Sequence, residues 1–198
     1  MKKKPISLLI TGTSHVGKTT LAASLSETLG CKTYHTDKMG RHPGRPWPKV
    51  RPFIADFYAS LRPETLLKLL LIHHQNMWPS IERLIQSLAS AEAFIFEGCA
   101  LRPEYIHAYL GPFVKGVCLT ADPDFISNRI RTASGYESLD EAHRMVVDGF
   151  INRSVLDDKE QVLRAHEFGV PCIRVDESGV LDQFRSNFLA DTGSTKLS

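Results

Sequence analysis

Nine consecutive residues, Gly12 through Thr20, read Gly-Thr-Ser-His-Val-Gly-Lys-Thr-Thr and match the phosphate-loop (Walker A) pattern G-x-x-x-x-G-K-[ST]. Glycines in such a stretch let the backbone curl closely round phosphate oxygens, with successive amide N–H groups turned inward. Lys18 adds a full positive charge, and Thr19 offers a hydroxyl to a Mg²⁺ ion that bridges the phosphates. Gly12, Thr13, Ser14, His15, Val16, Gly17, Lys18, Thr19 and Thr20 are therefore the candidate nucleotide contacts, although the pattern asks nothing of the His15 side chain. The motif requires a strand before it and a helix after it. Here the apolar run Ile6 to Ile10 precedes it, and Leu21, Leu25 and Leu29 share one face of the segment that follows.

Two carboxylates stand at the ends of apolar runs. Asp37 follows His35 and Thr36 at the end of a weak strand candidate, and open α/β sheets place ligands at the carboxyl ends of their strands. It could deprotonate an acceptor hydroxyl, hold a water on Mg²⁺, or serve only as a turn residue. Glu97 ends the run Ala93-Phe94-Ile95-Phe96 and precedes Gly98. An acid in that position needs a partner, either a metal ion with its waters or a structural ion pair. Phosphoryl transfer also spreads negative charge over equatorial oxygens, which guanidinium groups on a closing segment would stabilise. Arg129 and Arg131, on a helix capped at or near Asp122, are the candidates for that task, with Arg153 further along.

The segment Gly40 to Pro48 contributes Arg41, His42, Arg45 and Trp47. Two guanidiniums, an imidazole and a flat indole suit an anionic or planar acceptor; alternatively, a proline-stiffened loop packs Trp47 on the core. His73 and His74 are adjacent in a leucine-rich helical pattern, where neighbouring side chains diverge by about 100°, so paired metal ligation is not expected. Cys31, Cys99, Cys118 and Cys172 are widely spaced without a C-x-x-C pair, which argues against a zinc site or a disulfide framework. Cys118 and Cys172 fall in candidate strands; Cys99, just past a strand end, is the thiol to examine for reactivity.

The elements that must carry these residues alternate. Apolar runs at Ile6 to Ile10, Ala93 to Phe96, Val114 to Leu119 and Val170 to Val175, with a weaker one at Lys32 to His35, are separated by helical patterns. That rhythm predicts a parallel sheet covered on both faces. The connection between the second and third strands is too long for an ordinary crossover and reads as a substrate-side insert. Within it, residues 40 to 48 read as an extended loop, the leucines from Leu66 to Leu71 as one helix, and Pro79 as the early residue of another.

With 198 residues and 42% hydrophobic content the chain can bury a core as one domain. A formal charge of +2 supplies no nucleic-acid footprint, and no stretch approaches a membrane span. Lys2-Lys3-Lys4 leads into a run too short for a signal peptide, so reduced thiols and a cytoplasmic location are expected.

Taken together, Gly12 to Thr19, Thr36-Asp37, and Phe96-Glu97-Gly98 before Leu101-Arg102-Pro103-Glu104 resemble the P-loop kinase superfamily. The resemblance is closest to the group of nucleoside monophosphate, gluconate and shikimate kinases and 2-phosphoglycerate kinase-like proteins. It implies a three-layer α/β P-loop NTPase fold with a five-stranded parallel sheet in the order 2-3-1-4-5, a helical insert over residues 38–92 and an arginine-bearing lid over 129–153. Residues 1–190 would form the domain and 191–198 a loose tail. It also implicates the loop Val175 to Gly179, with Asp176, in packing against adenine. The chain departs from regulatory GTPases, whose guanine-reading Asn-Lys-x-Asp is replaced by Leu119-Thr120-Ala121-Asp122, so ATP with Mg²⁺ is the expected donor. A lone Glu97 before Gly98 also differs from the acidic pair expected of motor and transport ATPases. The resulting expectation is transfer of a terminal phosphate to a small hydroxylated or phosphorylated metabolite. Lys18, Asp37, Arg129 and Arg131 would be catalytic, Arg41, Arg45, Trp47 and Glu97 on the acceptor side, and Thr19 and Glu97 at the metal. The competing expectation is a slow nucleotide-dependent switch that touches a macromolecule through the insert.

Overall fold

The computed structural model describes residues 6–40, 45–48, 51–89 and 92–192. Its five strands are β1 (Ser7–Gly12), β2 (Lys32–His35), β3 (Phe94–Glu97), β4 (Val114–Thr120) and β5 (Cys172–Arg174). All pair in parallel, in the order β2-β3-β1-β4-β5. The register aligns Ile10 and His35 with Glu97, and Gly12 with Leu119, so the carboxyl ends of the central strands finish nearly level. That shared edge is where loops of different sequence origin can converge.

Helices α1 (Lys18–Leu29), α2 (Pro52–Ser60), α3 (Pro63–Ala89), α4 (Pro103–Ile106), α5 (Pro123–Ser134), α6 (Glu141–Glu167) and α7 (Val180–Thr192) fill the connections. Successive β1 side chains point to opposite faces of the sheet. Leu8 and Ile10 pack in one apolar cluster with Leu21 and Leu25 of α1, Ile126 of α5 and Phe150 of α6. Leu9 packs in the other with Phe94 and Phe96, Ile81 and Ile85 of α3, and Ala165 near the end of α6. The result is three layers, with α6 passing from one cluster to the other.

The insert differs from the sequence reading at Pro79. Instead of beginning a helix, Pro79 lies inside α3, a single helix of 27 residues. Leu66, Leu70, His74, Ile81, Ile85 and Leu88 keep one buried face across the proline, and that continuous burial outweighs the lost amide donor. Helix α2 crosses α6 at Gly149, where a Cβ would stand 2.3 Å from the Tyr58 carbonyl oxygen, so only glycine permits this approach. Helix α5 begins as expected: Asp122 accepts a hydrogen bond from the Asp124 amide at 2.9 Å. At the C-terminus α7 includes Asp191 and Thr192, read from sequence as the start of the tail; residues 193–198 lie outside the described residues.

What fixes the sheet's upper edge is a polar stripe on α6. Arg153, Ser154, Asp157, Asp158 and Gln161 are all buried, at helical spacing on one face. The Thr11 hydroxyl donates to Gln161 Oε1 at 2.6 Å, the Thr13 hydroxyl to the Ser154 carbonyl at 2.9 Å and the Thr120 hydroxyl to Asp158 Oδ2 at 2.6 Å. Arg102, fully buried, donates from Nη1 to Asp157 Oδ1 at 2.6 Å. Burial pushes the Asp157 carboxyl up, but the Arg102 guanidinium and further positive charge and hydrogen bonding hold it below the ordinary carboxylate range. Removing Asp157 would leave the buried Arg102 guanidinium with the longer contact from Nε to the partly exposed Glu104, at 3.2 Å, in place of its buried partner. Asp157→Ala should therefore lower the unfolding free energy in urea by about 3 kcal/mol or more. The apolar pair Arg102→Met with Asp157→Leu should recover most of that loss, because neither charge then remains.

Candidate active site

Gly12 ends β1 with φ 136°, and a Cβ there would lie 2.3 Å from the Leu119 carbonyl oxygen, so β1 and β4 can sit this close only with glycine at the mouth of the loop. The loop then runs to Gly17, which starts α1 and aims the helix N-terminus at the sheet edge. Thr13 and Val16 are buried and support the loop from below, while Ser14, His15, Gly17, Lys18, Thr19 and Thr20 face a cavity of about 790 Å³. The Lys18 ammonium donates to the Thr13 carbonyl at 2.6 Å, within the same loop.

The cavity's other walls come from distant parts of the chain. Asp37 lies exposed on a 3-10 turn (Thr36–Lys38) directly after β2, and Glu97 ends β3 at 6% exposure; both line the cavity. Glu97 Oε1 accepts from the Thr19 hydroxyl at 3.0 Å and from His35 Nδ1 at 2.6 Å, so it is held on both sides. Sequence reasoning did not include His35; its place at the end of β2, in register with Glu97, was the available signal. Thr19 and Glu97 bring oxygen donors together and Asp37 adds a carboxylate to the same cavity, a donor set suited to a hard cation such as Mg²⁺. Among the described residues no group of three or more His, Cys, Asp or Glu gathers as a metal cage, and Mg²⁺ carried on phosphates needs few protein ligands.

Of the arginines, Arg129 reaches the site. Its Nη1 would be 3.6 Å from a Cβ on Gly17, and it lines the cavity. Arg131 does not line it: its guanidinium sits over the Tyr136 ring at 5.0 Å and lies 3.9 Å from Asp148. Two positions along a helix rotate side chains by about 200°, so the two arginines cannot share one target. The span read as a lid, residues 129–153, is the end of α5, a 3-10 turn at Tyr136–Ser138 and the first half of α6. Asp176 follows β5 and is paired with Arg174 at 2.6 Å, away from the cavity wall.

Arg45 and Trp47 both line the cavity, and Arg41, assigned to the acceptor side from sequence, lies outside the described residues together with His42. Trp47 packs on the core, as the second reading of its loop expects, edge-on against Phe150 with ring centroids 5.1 Å apart, and also borders the cavity. Arg51 and Phe150 join the wall unannounced by any motif, since each becomes relevant only through the folding of α2 and α6. Arg153, 2% exposed, does not line the cavity: its guanidinium lies 4.4 Å over the Phe150 ring and its charge acts on Tyr58 and Asp157. Cys99 lines the cavity but is not a reactive thiol: burial pushes its pKa up to about 11, and its Sγ lies 3.5 Å from His74 Nε2.

Four cations, Lys18, Arg45, Arg51 and Arg129, thus face the cavity against two carboxylates. Polyanions are the ligands such a field selects. No protein-family profile matches the chain, and no curated protein matches it in sequence. Solved structures do match in shape. A gluconokinase from Sinorhizobium meliloti 1021 is similar with a TM-score of 0.52 at 15% identity, covering 97% of this chain and 94% of that one. Shikimate kinases from Aquifex aeolicus vf5 (TM-score 0.53, 11% identity, 97% and 99% coverage) and from Bacteroides thetaiotaomicron (0.52, 13%, 93% and 97%) are similar over nearly their whole lengths.

Two groups near this edge, the half-buried His15 and the buried Asp158, titrate in opposite senses. His15 is pushed down from 6.5 to about 4, by burial first and then by the charges of Arg45, Lys18, Arg129 and Arg153. Asp158 is pushed up from 3.8 to about 6, chiefly by burial, with the Thr120 hydrogen bond opposing and the Asp157 charge adding. A depressed histidine contributes stability above pH 6.5 that is lost as the pH falls toward 4, whereas a raised carboxyl contributes stability at low pH that is lost as the pH rises through 6. Relative to the parent, Asp158→Asn should gain stability progressively from pH 4 to 6.5 and level off at roughly 3 kcal/mol or less. His15→Asn should show the opposite trend, gaining as the pH falls. Urea midpoints at pH 4, 5, 6 and 7 check both; curves parallel to the parent would contradict the assignment. Sheet order and level strand ends give this chain the fold seen in these gluconokinase and shikimate kinase structures.

Proposed function

We propose that the protein transfers the terminal phosphate of ATP to a hydroxyl of a small acceptor that itself carries an anionic group. One observation carries this reading: a phosphate cradle, an exposed carboxylate at Asp37 and a surplus of guanidinium groups surround the same cavity. The loop amides and Lys18 would hold the phosphates, and Thr19, braced by Glu97, would orient them. A bound Mg²⁺ would supply charge neutralisation between phosphates and acceptor. Asp37, exposed and close to the cradle, would accept the proton of the attacking hydroxyl, and Arg129 would stabilise charge on the transferring group.

The anionic acceptor follows from charge. A magnesium–triphosphate complex would offset the cations nearest the loop, and Arg45 and Arg51 would remain on the wall of the same cavity. A carboxylate or phosphate on the acceptor would be met by Arg45 and Arg51 on the cavity wall, with the Arg153 guanidinium behind Phe150 adding to the positive field. The gluconokinase and shikimate kinase likenesses support hydroxy acids as the first compounds to try.

The test is ADP release with MgATP across a panel of hydroxy acids, gluconate and shikimate among them, and phosphorylated alcohols. An active acceptor should lose roughly 100-fold or more in kcat on Asp37→Asn while ATP affinity stays within a few-fold. Arg45→Met, on the cavity wall, should raise the acceptor KM at least tenfold and leave stability within about 1 kcal/mol, because the side chain it replaces is exposed. If ATP binds but no anionic acceptor accelerates its consumption, the kinase reading fails and a nucleotide-dependent switch replaces it.

A further inference from the structure

His15 is the residue for which the phosphate-loop chemistry leaves no task, and three features set it apart. Its backbone φ is 66°, the left-handed region, which is strained for a residue with a side chain relative to glycine. Its ring is not free in the cavity: it lies 5.7 Å from the Trp47 ring, tilted by 44°, and 6.2 Å from the Phe150 ring, edge-on. Trp47 and Phe150 in turn touch each other, so three rings from the phosphate loop, the insert loop and α6 form one cluster. The imidazole is neutral at ordinary pH, so the cluster acts by packing and shape rather than by charge.

That cluster bridges the two halves of the proposed site. On one side His15 stands between Ser14 and Val16 in the backbone that wraps the phosphates. On the other, Trp47 is two residues from Arg45, and Phe150 carries the Arg153 guanidinium over its ring. Close-packed rings do not deform continuously; a shift in one is passed to its neighbours. We infer that His15 is a positioning residue that couples occupancy of the phosphate loop to the Trp47 loop, so that nucleotide and acceptor bind with mutual assistance. The inference rests on the nucleotide reading of the loop and not on any particular acceptor. Reciprocity requires that whatever fixes the Trp47 loop also tightens nucleotide binding by the same factor.

The chain has two tryptophans, so Trp78→Phe leaves Trp47 as the sole indole reporter. Titration with Mg²⁺ and a non-hydrolysable ATP analogue should change Trp47 emission over the concentration range in which calorimetry reports binding. His15→Gly relaxes the backbone at φ 66° and deletes the ring. It should reduce the emission change at least threefold, measured at calorimetric saturation, and His15→Phe, which restores a ring, should recover most of it. Heat of binding with silent Trp47 emission in the parent would overturn the coupling while leaving the nucleotide reading intact. So would a His15→Gly response equal to the parent's, or failure of His15→Phe to recover what His15→Gly loses. Absence of any binding heat in the parent would remove the nucleotide reading and the coupling together.

Discussion

The site depends first on the buried polar face of α6. Strand β1 ends in a loop whose function needs fixed backbone geometry, yet glycine-rich loops are intrinsically loose. Here the underside is fastened by side-chain hydrogen bonds from Thr11 and Thr13 to Gln161 and Ser154, and β4 is fastened beside it by Thr120 to Asp158. Such bonds are directional where apolar packing is not, so they specify where the loop stands rather than merely that it is buried. Their cost is the desolvation of Asp157 and Arg102, which remain tolerable only as partners.

From that fixed floor the electrostatics of the cavity follow. Arg153 belongs to the same stripe but, unlike Arg102, makes no ion pair within 4 Å of a carboxylate among the described residues, and its charge contributes to holding His15 neutral. The positive field at the strand ends therefore has two sources. One is the cavity wall, with Lys18, Arg45, Arg51 and Arg129; the other is a buried guanidinium behind Phe150. The buried one is the less screened of the two, because solvent and salt reach it least.

Much of this was legible along the chain, and the boundary of legibility is physical. The phosphate loop could be read because its chemistry is contiguous, and β1, β3 and the second half of β4 because buried parallel strands carry continuous apolar stretches. Strand order came only with the family resemblance, since nothing local encodes which strands pair. The α6 stripe was hidden because Arg-Ser-x-x-Asp-Asp-x-x-Gln at helical spacing looks like a solvated face; only the threonines of other segments turn it inward. Arg129 and Arg131 were indistinguishable in composition and separated by helix phase. Pro79 misled for the converse reason, its local penalty being overridden by a burial pattern that extends far to either side.

The two strand-end carboxylates illustrate how burial divides chemistry between like residues. Glu97 is bonded by Thr19 and His35 and almost wholly out of solvent, so its oxygens have fixed directions and little freedom to exchange partners. Asp37 sits exposed on a 3-10 turn, and among the described residues its carboxylate makes no side-chain hydrogen bond or ion pair. A group that must receive a proton from an incoming hydroxyl needs that freedom, whereas a group that must hold an oxygen donor in place is better without it. Under the proposed reading, moving Asp37 into the position of Glu97 would lose the base without gaining a second brace. The assignment thus rests less on the acidity of either group than on which of them the surrounding structure leaves free to react.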